Sequence, residues 1–300
     1  MGVRVSANHH KFLISKFKES VLLYTLFKNR RFMIGLVMFL VLLLMGLVGS
    51  LLYPRDPLAF AEYPPDLPPS LEFPLGTDRG GRDVFAQFLH GIRMSLYVGF
   101  LTAIISTIIG LVIGVTAGIK GGVLDETLMG LTNLVLAIPS WLVALLIASI
   151  TPAEQRGPEF MGLLLGIFSW PWFARAVRAQ FQSLREREFV ALSRMAGYGD
   201  LRIAFEDLLP QVGAFIVSSF AGLMATGIGG EAGLAIIGVG MTRYVSLGMI
   251  LFWAGTYQAY IKGTWWLFLP AGIAMIILMV SLQMISVGLE QLFNPRLREI

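Results

Sequence analysis

The sequence predicts an all-α integral membrane protein with six transmembrane helices, preceded by an amphipathic helix lying at the membrane surface. Three observations carry this. Of 300 residues, 56% are hydrophobic and 14% charged, with a mean hydropathy of +0.73; an ordinary soluble domain has about 25% charged residues. A soluble chain of this composition has too little polar surface to cover itself, and disorder needs the opposite composition. Apolar stretches of span length, about 20 residues, recur along the chain. Lys and Arg are also unevenly divided between alternate loops. Cysteine is absent, which excludes disulfides and thiolate chemistry. Three histidines, His9, His10 and His90, leave few imidazole ligands, and His90 reads as an interface residue.

The elements follow in order. His10 to Arg31 carries Phe12, Leu13, Phe17 and Leu23 on one helical stripe and Lys11, Lys16, Lys18 and Lys28 on the other face. This describes a helix in the membrane interface, or one packed on a partner. Phe32 to Tyr53 is a charge-free first span, too long and too late for a signal peptide. An outer loop over 54–92 follows; seven prolines from Pro54 to Pro74 hold its first part extended, because proline fixes φ and lacks a donor. Spans two and three are Met94 to Ile119 and Thr127 to Ile150, the latter containing Pro139. Phe160 to Phe173 is a short fourth span, extendable toward Arg175 and Arg178, with Pro171 inside it. Val212 to Val239 is the fifth, with Glu231 near its far end, and Trp265 to Leu289 the sixth. Segment 244–262, rich in Tyr and Trp, reads as an outer re-entrant or interfacial helix. Residues 1–31 form the N-terminal unit and 32–300 the membrane domain.

Sixteen Lys and Arg fall in the ends and loops assigned inside, against seven outside. The positive-inside bias therefore predicts both termini in the cytoplasm. The net charge of +4 reports these loops, not nucleic-acid binding. Gly110, Gly114 and Gly118 form a small-residue face on the second span, for packing within the chain or against a second subunit.

One cytoplasmic segment, 181–209, is long, polar and dense in charge. It reads as helix, glycine break, helix. Ser183 with Glu186 suggests a capping box for the first helix, with Phe189, Leu192, Ser193 and Ala196 on one face. Gly197 stands where a left-handed cap is needed. Asp200 can cap the second helix, whose apolar side is Leu201, Phe205, Leu208 and Leu209, and Pro210 opens the fifth span. Two short helices outside the bilayer make a protruding knob, a solvated connection or a docking element.

This segment resembles the inner-membrane permease subunits of ABC importers, specifically the C-type subunit of dipeptide, oligopeptide and nickel systems. That family's signature is Glu-Ala-Ala, three residues, Gly, nine residues, Ile-x-Leu-Pro. Here Gly197 precedes Leu209-Pro210 at the right spacing, and Arg187-Glu188-Phe189-Val190 resembles the lead-in; Arg194 and Asp200-Leu201-Arg202-Ile203 also fit. The triplet departs as Ala191-Leu192-Ser193, and Asp207 stands at the family isoleucine. Other stretches match in order: Leu75-Gly76-Thr77-Asp78 to Gly81-Arg82-Asp83-Val84, Gly91-Ile92-Arg93-Met94-Ser95-Leu96, Ile138-Pro139-Ser140, Trp170-Pro171, Glu231-Ala232-Gly233-Leu234 and Asn294-Pro295-Arg296-Leu297-Arg298. The resemblance covers roughly residues 28–298.

The resemblance implies the type I permease fold of ABC importers in a prokaryotic cell membrane. Its partners would be a B-type permease subunit, two ABC ATPases, an extracytoplasmic substrate-binding protein and the bilayer. Arg187, Glu188, Ala191, Leu192, Arg194, Gly197, Asp200 and Arg202 would couple to an ATPase. No phosphate-cradling Gly-x4-Gly-Lys-Ser/Thr run occurs, so the chain is expected to bind no cofactor, with ATP and Mg used by partner subunits. Peptide-sized solutes are the expected cargo. Oligosaccharides are the alternative, favoured by the low Asn and Gln content of a thermophile-like chain, and a nickel chelate is another. A self-sufficient secondary transporter needs ionisable residues in its spans or an internal repeat; an assembly factor would lack transport. Asp78, Arg82, Asp83 and Glu231 are the outer-mouth or gating candidates. For the first three, together with Arg79, the competing reading is a loop that pairs with itself. For Glu231 the favoured reading is a carboxylate capped by backbone donors of Gly229, Gly230 and Gly233 where the helix breaks.

Overall fold

A computed structural model describes residues 28–293, with side chains to residue 291. The expected surface helix lies almost wholly outside the described residues, as do His9, His10 and the Asn294–Arg298 ending. Among the described residues, five helices are long and apolar enough to cross a membrane, and six spans result if one sharply bent pair counts as one.

Helix α1, Arg30–Leu52, starts at Asn29, whose side-chain oxygen accepts from the backbone N–H groups of Arg31 and Phe32. A loop over 53–83 follows. Helix α2, Val84–Lys120, is 37 residues long and begins ten residues before the expected second span, absorbing the end of the predicted outer loop. The reason is Asp83, whose carboxylate caps the helix by accepting from Phe85 and Ala86. Gly121 separates α2 from α3, Gly122–Ala137. The expected third span is broken, not merely kinked: α3 and α4, Ser140–Ile150, meet at 69° across Ile138 and Pro139. The residue before a proline is driven out of helical conformation, and Ile138 is extended at φ −87°, ψ 130°.

Helix α5, Pro158–Arg185, is the fourth span and runs on past Arg175 and Arg178. It absorbs Ser183, so the capping box expected there does not form; Ser183 lies inside the helix and Glu186 ends it. Helix α6, Glu188–Met195, is short. Helix α7, Asp200–Val239, joins the second helix of the knob to the fifth span without a break. Pro210 nonetheless stands in the first turn of the α-helical part of the span, which starts at Leu209. It follows a π-helical stretch at Ile203–Leu208, and the widened turn accommodates the proline ring and its missing donor. Helix α8, Leu247–Thr256, and α9, Ala259–Lys262, are too short to cross. Helix α10, Leu269–Phe293, is the last span.

The core forms around α2, which packs along α5 and α7, while α10 packs on α1 and α7. The glycine face of α2 is spent within the chain. A Cβ at Gly114 would lie 2.6 Å from the Ala174 carbonyl oxygen, and one at Gly118 would lie 2.6 Å from the Phe181 Cβ. Close approach brings α2 and α5 into contact along several turns, where dispersion and packing hold helices together in lipid. At the same end, Arg178 donates to both carboxylate oxygens of Asp125, at 2.6 Å to Oδ2, and Gln182 adds a third donor at 3.1 Å. This ties the base of the broken span to α5. Gly114→Val is expected to part α2 from α5 and to cost about 1–3 kcal/mol of packing. Thermal unfolding in detergent measures this, and an unchanged midpoint would contradict the packing argument.

Candidate functional site

The knob is built from the ends of two spans. After Glu186 the chain extends through Arg187, turns into α6, and reverses at Gly197, where φ is +83°. The Gly197 N–H donates to the Arg194 carbonyl at 2.9 Å and the Tyr198 N–H to the Ser193 carbonyl at 3.1 Å, the left-handed helix cap that the sequence called for. Space around a Cβ at Gly197 is open, so the demand for glycine comes from the backbone alone. Gly199, not Asp200, is the cap of α7; Asp200 is its first residue and its side chain makes no capping bond. An extended Gly199 already presents the turn, which leaves Asp200 free to sit 3.8 Å from Arg194.

The root of the knob is apolar and the tip is bare. Val190, Ile203, Ala204 and Leu208 are buried together in the main core. Leu192, Met195, Leu201 and Phe205 are 65%, 85%, 74% and 63% exposed. Arg202 pairs with Glu206 at 2.8 Å and stacks over the Tyr198 ring at 3.8 Å, which stiffens the start of α7. Arg187, Glu188 and Ala191 are exposed on α6. Asp207, at the half-buried root, has its Oδ2 buried without a hydrogen-bond partner among the described residues. The structure thus gathers all eight predicted coupling residues on one protrusion, rooted by Val190 of the lead-in, whose burial the sequence reading did not foresee.

At the opposite end, Asp78, Arg82 and Asp83 do not form an open mouth. All three are buried, in a clasp that ties the loop to α1, α2 and α8. Asp83 Oδ2 accepts from the Tyr53 hydroxyl at 2.7 Å and from Arg55 at 2.8 Å. Asp78 accepts from the Arg82 guanidinium at 2.7 Å and from Gln87 at 3.0 Å. Arg82 donates onward to the Tyr257 hydroxyl at 3.2 Å and lies 3.8 Å over the Trp253 ring. Burial, together with the bond to Asp83 and that residue's charge, pushes the Tyr53 phenol well above its usual range, so it remains a donor. Asp78, Arg82 and Asp83 thus pair within the chain, while Arg79 stays exposed. Gln87, Trp253 and Tyr257 were missed because nothing local marks them; Gln87 meets Asp78, and Trp253 and Tyr257 meet Arg82, only through the fold.

Glu231 is fully buried in α7. The glycine cap expected for it does not exist, because α7 is helical through Gly229, Gly230 and Gly233 and spends those N–H groups internally. Its partner is Ser246, whose hydroxyl donates to Oε1 at 2.7 Å. The same hydroxyl accepts from Met249 and caps α8, while Ser95 on α2 accepts from Leu247. Glu231 thus anchors α8. A cleft of about 510 Å3 opens at the break in the third span, between Pro139, Trp141, Ser169, Trp172 and Thr226. Among the described residues, no group of three or more His, Asp or Glu could hold a metal ion.

Comparison with known proteins gives the class. Residues 110–299 match the family described as binding-protein-dependent transport system inner membrane component, and residues 21–69 match the N-terminal TM domain of oligopeptide transport permease C. The chain belongs to that transport family: it is a permease subunit of an ABC importer, not an enzyme, and ATP hydrolysis belongs to separate subunits of such a system. Similar proteins include the oligopeptide transport system permease protein OppC of Mycobacterium tuberculosis, 32% identical over 78% of this chain and 79% of that one. Two others are dipeptide transport system permease proteins DppC. That of Haemophilus influenzae is 28% identical over 91% and 92% of the two chains, and that of Bacillus subtilis is 31% identical over 90% and 83%.

Proposed function

We propose that this chain is the half-pore subunit of an importer for short peptides, driven by an ATPase seated on the knob. The observation that carries it is the knob itself: an exposed apolar tip on a buried root, capped by a left-handed glycine. Exposed apolar clusters on an otherwise polar element mark a docking surface. Leu192, Met195 and Leu201 seat in the ATPase, with Arg187, Glu188, Ala191, Arg194, Asp200 and Arg202 around them. Because α5 and α7 leave the knob as spans, a push on it moves both. Arg178 and Asp125 pass that movement to the broken third span, whose cleft lines this subunit's half of the path.

The knob end lies in the cytoplasm, as the Lys and Arg distribution supports, and the clasp end faces outward in a prokaryotic inner membrane. A second permease subunit completes the pore, a second ATPase drives it, and an external binding protein delivers the cargo. The names of the relatives support peptides as that cargo.

The test is a reconstituted complex supplied with binding protein and either short peptides or oligosaccharides. Peptide-stimulated ATPase supports the reading, and stimulation by oligosaccharide alone overturns it. In the same assay Gly197→Val is expected to uncouple ATPase from transport. A left-handed conformation costs an ordinary L-residue about 1–2 kcal/mol, and β-branched residues more, so the reversal shifts. Gly197→Asn, which tolerates φ > 0, is expected to retain most coupling. Full coupling in the valine variant would remove the cap from the mechanism.

A further inference from the structure

A second cavity, of about 690 Å3, lies between α1, α2, α5 and α7, away from the third-span cleft, the clasp and the knob. This is within the size range of roughly 300–1,000 Å3 for small-molecule sites. Its chemistry is graded. At the end nearer the clasp it is lined by Arg93 and Tyr97 on α2 and by Glu159, the second residue of α5; toward mid-span it is lined by Phe39 and Leu43 of α1 and Phe220 of α7.

Arg93 gives the site its demand for a ligand. It is exposed on the side of a membrane-spanning helix and, among the described residues, makes no ion pair or side-chain hydrogen bond within the chain. A cation at that depth is costly unless it reaches an anion or the headgroup level. Tyr97 lies one turn on, on the same face as Arg93, and its hydroxyl donates to Glu159 at 3.3 Å. One cation and one carboxylate, the latter held by a tyrosine one turn along from the former, therefore line the same end of an otherwise apolar groove.

A ligand matching this gradient carries an anion and a cation close together at one end and hydrocarbon at the other. A peptide does not, because its amides would go unbonded along the apolar end. We propose that the groove is a phospholipid site: Arg93 holds the phosphate, Glu159 takes the ammonium of an ethanolamine headgroup, and an acyl chain lies along Leu43, Phe39 and Phe220.

The experiment is native mass spectrometry of the complete transporter, released from nanodiscs of equal phosphatidylethanolamine and phosphatidylglycerol. The wild type is expected to retain phosphatidylethanolamine preferentially. Arg93→Gln is expected to lower retention about tenfold, the loss of one charge-assisted hydrogen bond. Glu159→Gln is expected to keep lipid but lose the preference between headgroups. Leu43→Trp, which blocks the acyl end and leaves both charges, is expected to lower retention as well. Glycerophosphoethanolamine, which has the headgroup without acyl chains, is expected not to displace the lipid. Equal retention by wild type and Arg93→Gln overturns the proposal, as does displacement by the soluble headgroup. The chain has no cysteine, so Leu43→Cys supplies a single thiol; its cross-linking to the second permease subunit would show that a protein helix fills the groove and would equally overturn the proposal.

Discussion

Replacing Leu192 and Leu201 together by aspartate is expected to detach this permease from its ATPase while leaving the permease folded. Both side chains are mostly exposed in the isolated chain, so the folded subunit loses almost nothing; surface changes of this kind stay within about 0.5 kcal/mol. In the complex both are taken to be buried, and burying a leucine contributes roughly 1.5–3 kcal/mol. Losing two therefore weakens docking by about 10²–10⁴-fold, before counting the desolvation of two new carboxylates. Copurification of the ATPase should fail and substrate-stimulated hydrolysis should vanish, while the thermal midpoint of the subunit in detergent is retained. Val190→Asp provides the contrast. Val190 is 1% exposed, so a charge there uproots the knob and lowers the midpoint too. An aspartate double variant that still copurifies with an active ATPase would place the motor elsewhere.

That prediction rests on a segment the sequence made legible. The 3.6-residue periodicity on each side of Gly197, and its fixed distance to Leu209-Pro210, describe two helices and a reversal using only neighbours within a few turns. The same locality explains the reading of the spans: about 20 apolar residues must be helical in a bilayer, since no water satisfies the backbone. What local patterns could not set was where helices end and which side chains meet. Ser183 and Asp200 are good caps in isolation. The first was overridden because α5 continues through it, and the second because Gly199 already provides the extended residue. Pro139 is compatible with a kink or a break, and the local pattern does not set the 69° angle.

The charged residues of the clasp and Glu231 show the same limit in the other direction. Asp78, Arg82, Asp83 and Glu231 stood out because charges among apolar residues are conspicuous, and conspicuous charge suggested a mouth or a gate. The fold instead supplies partners that local sequence does not mark, Tyr257 and Trp253 for Arg82, Tyr53 and Arg55 for Asp83, and Ser246 for one oxygen of Glu231. Arg93, which among the described residues makes no ion pair or side-chain hydrogen bond, attracted less attention because its neighbours in sequence look ordinary. A charge's function depends on whether the chain itself answers it, and only the folded arrangement says so.

Arg82→Ala is expected to produce the largest loss of stability, about 3–5 kcal/mol, the usual result of removing one member of a buried ion pair. Side-chain exposure is 8% for Arg82 and 3% for Asp78. Without the guanidinium, the Asp78 carboxylate keeps only Gln87 and the Arg82 backbone N–H as donors, and Trp253 and Tyr257 lose the group that joins them to the loop. Arg82→Lys should recover little, because one ammonium cannot serve the carboxylate and the tyrosine hydroxyl in the fork geometry that the guanidinium provides while lying flat on the indole. Asp78→Asn combined with Arg82→Met is expected to be milder than Arg82→Ala, since no uncompensated charge remains buried. The readouts are the thermal midpoint in detergent and protease cleavage of loop 53–83, which should become accessible as the clasp opens and α8 loosens from α2. The ordering discriminates: if Arg82→Ala is no worse than the double variant, the clasp holds by shape alone and its charges contribute nothing to closing that end of the bundle.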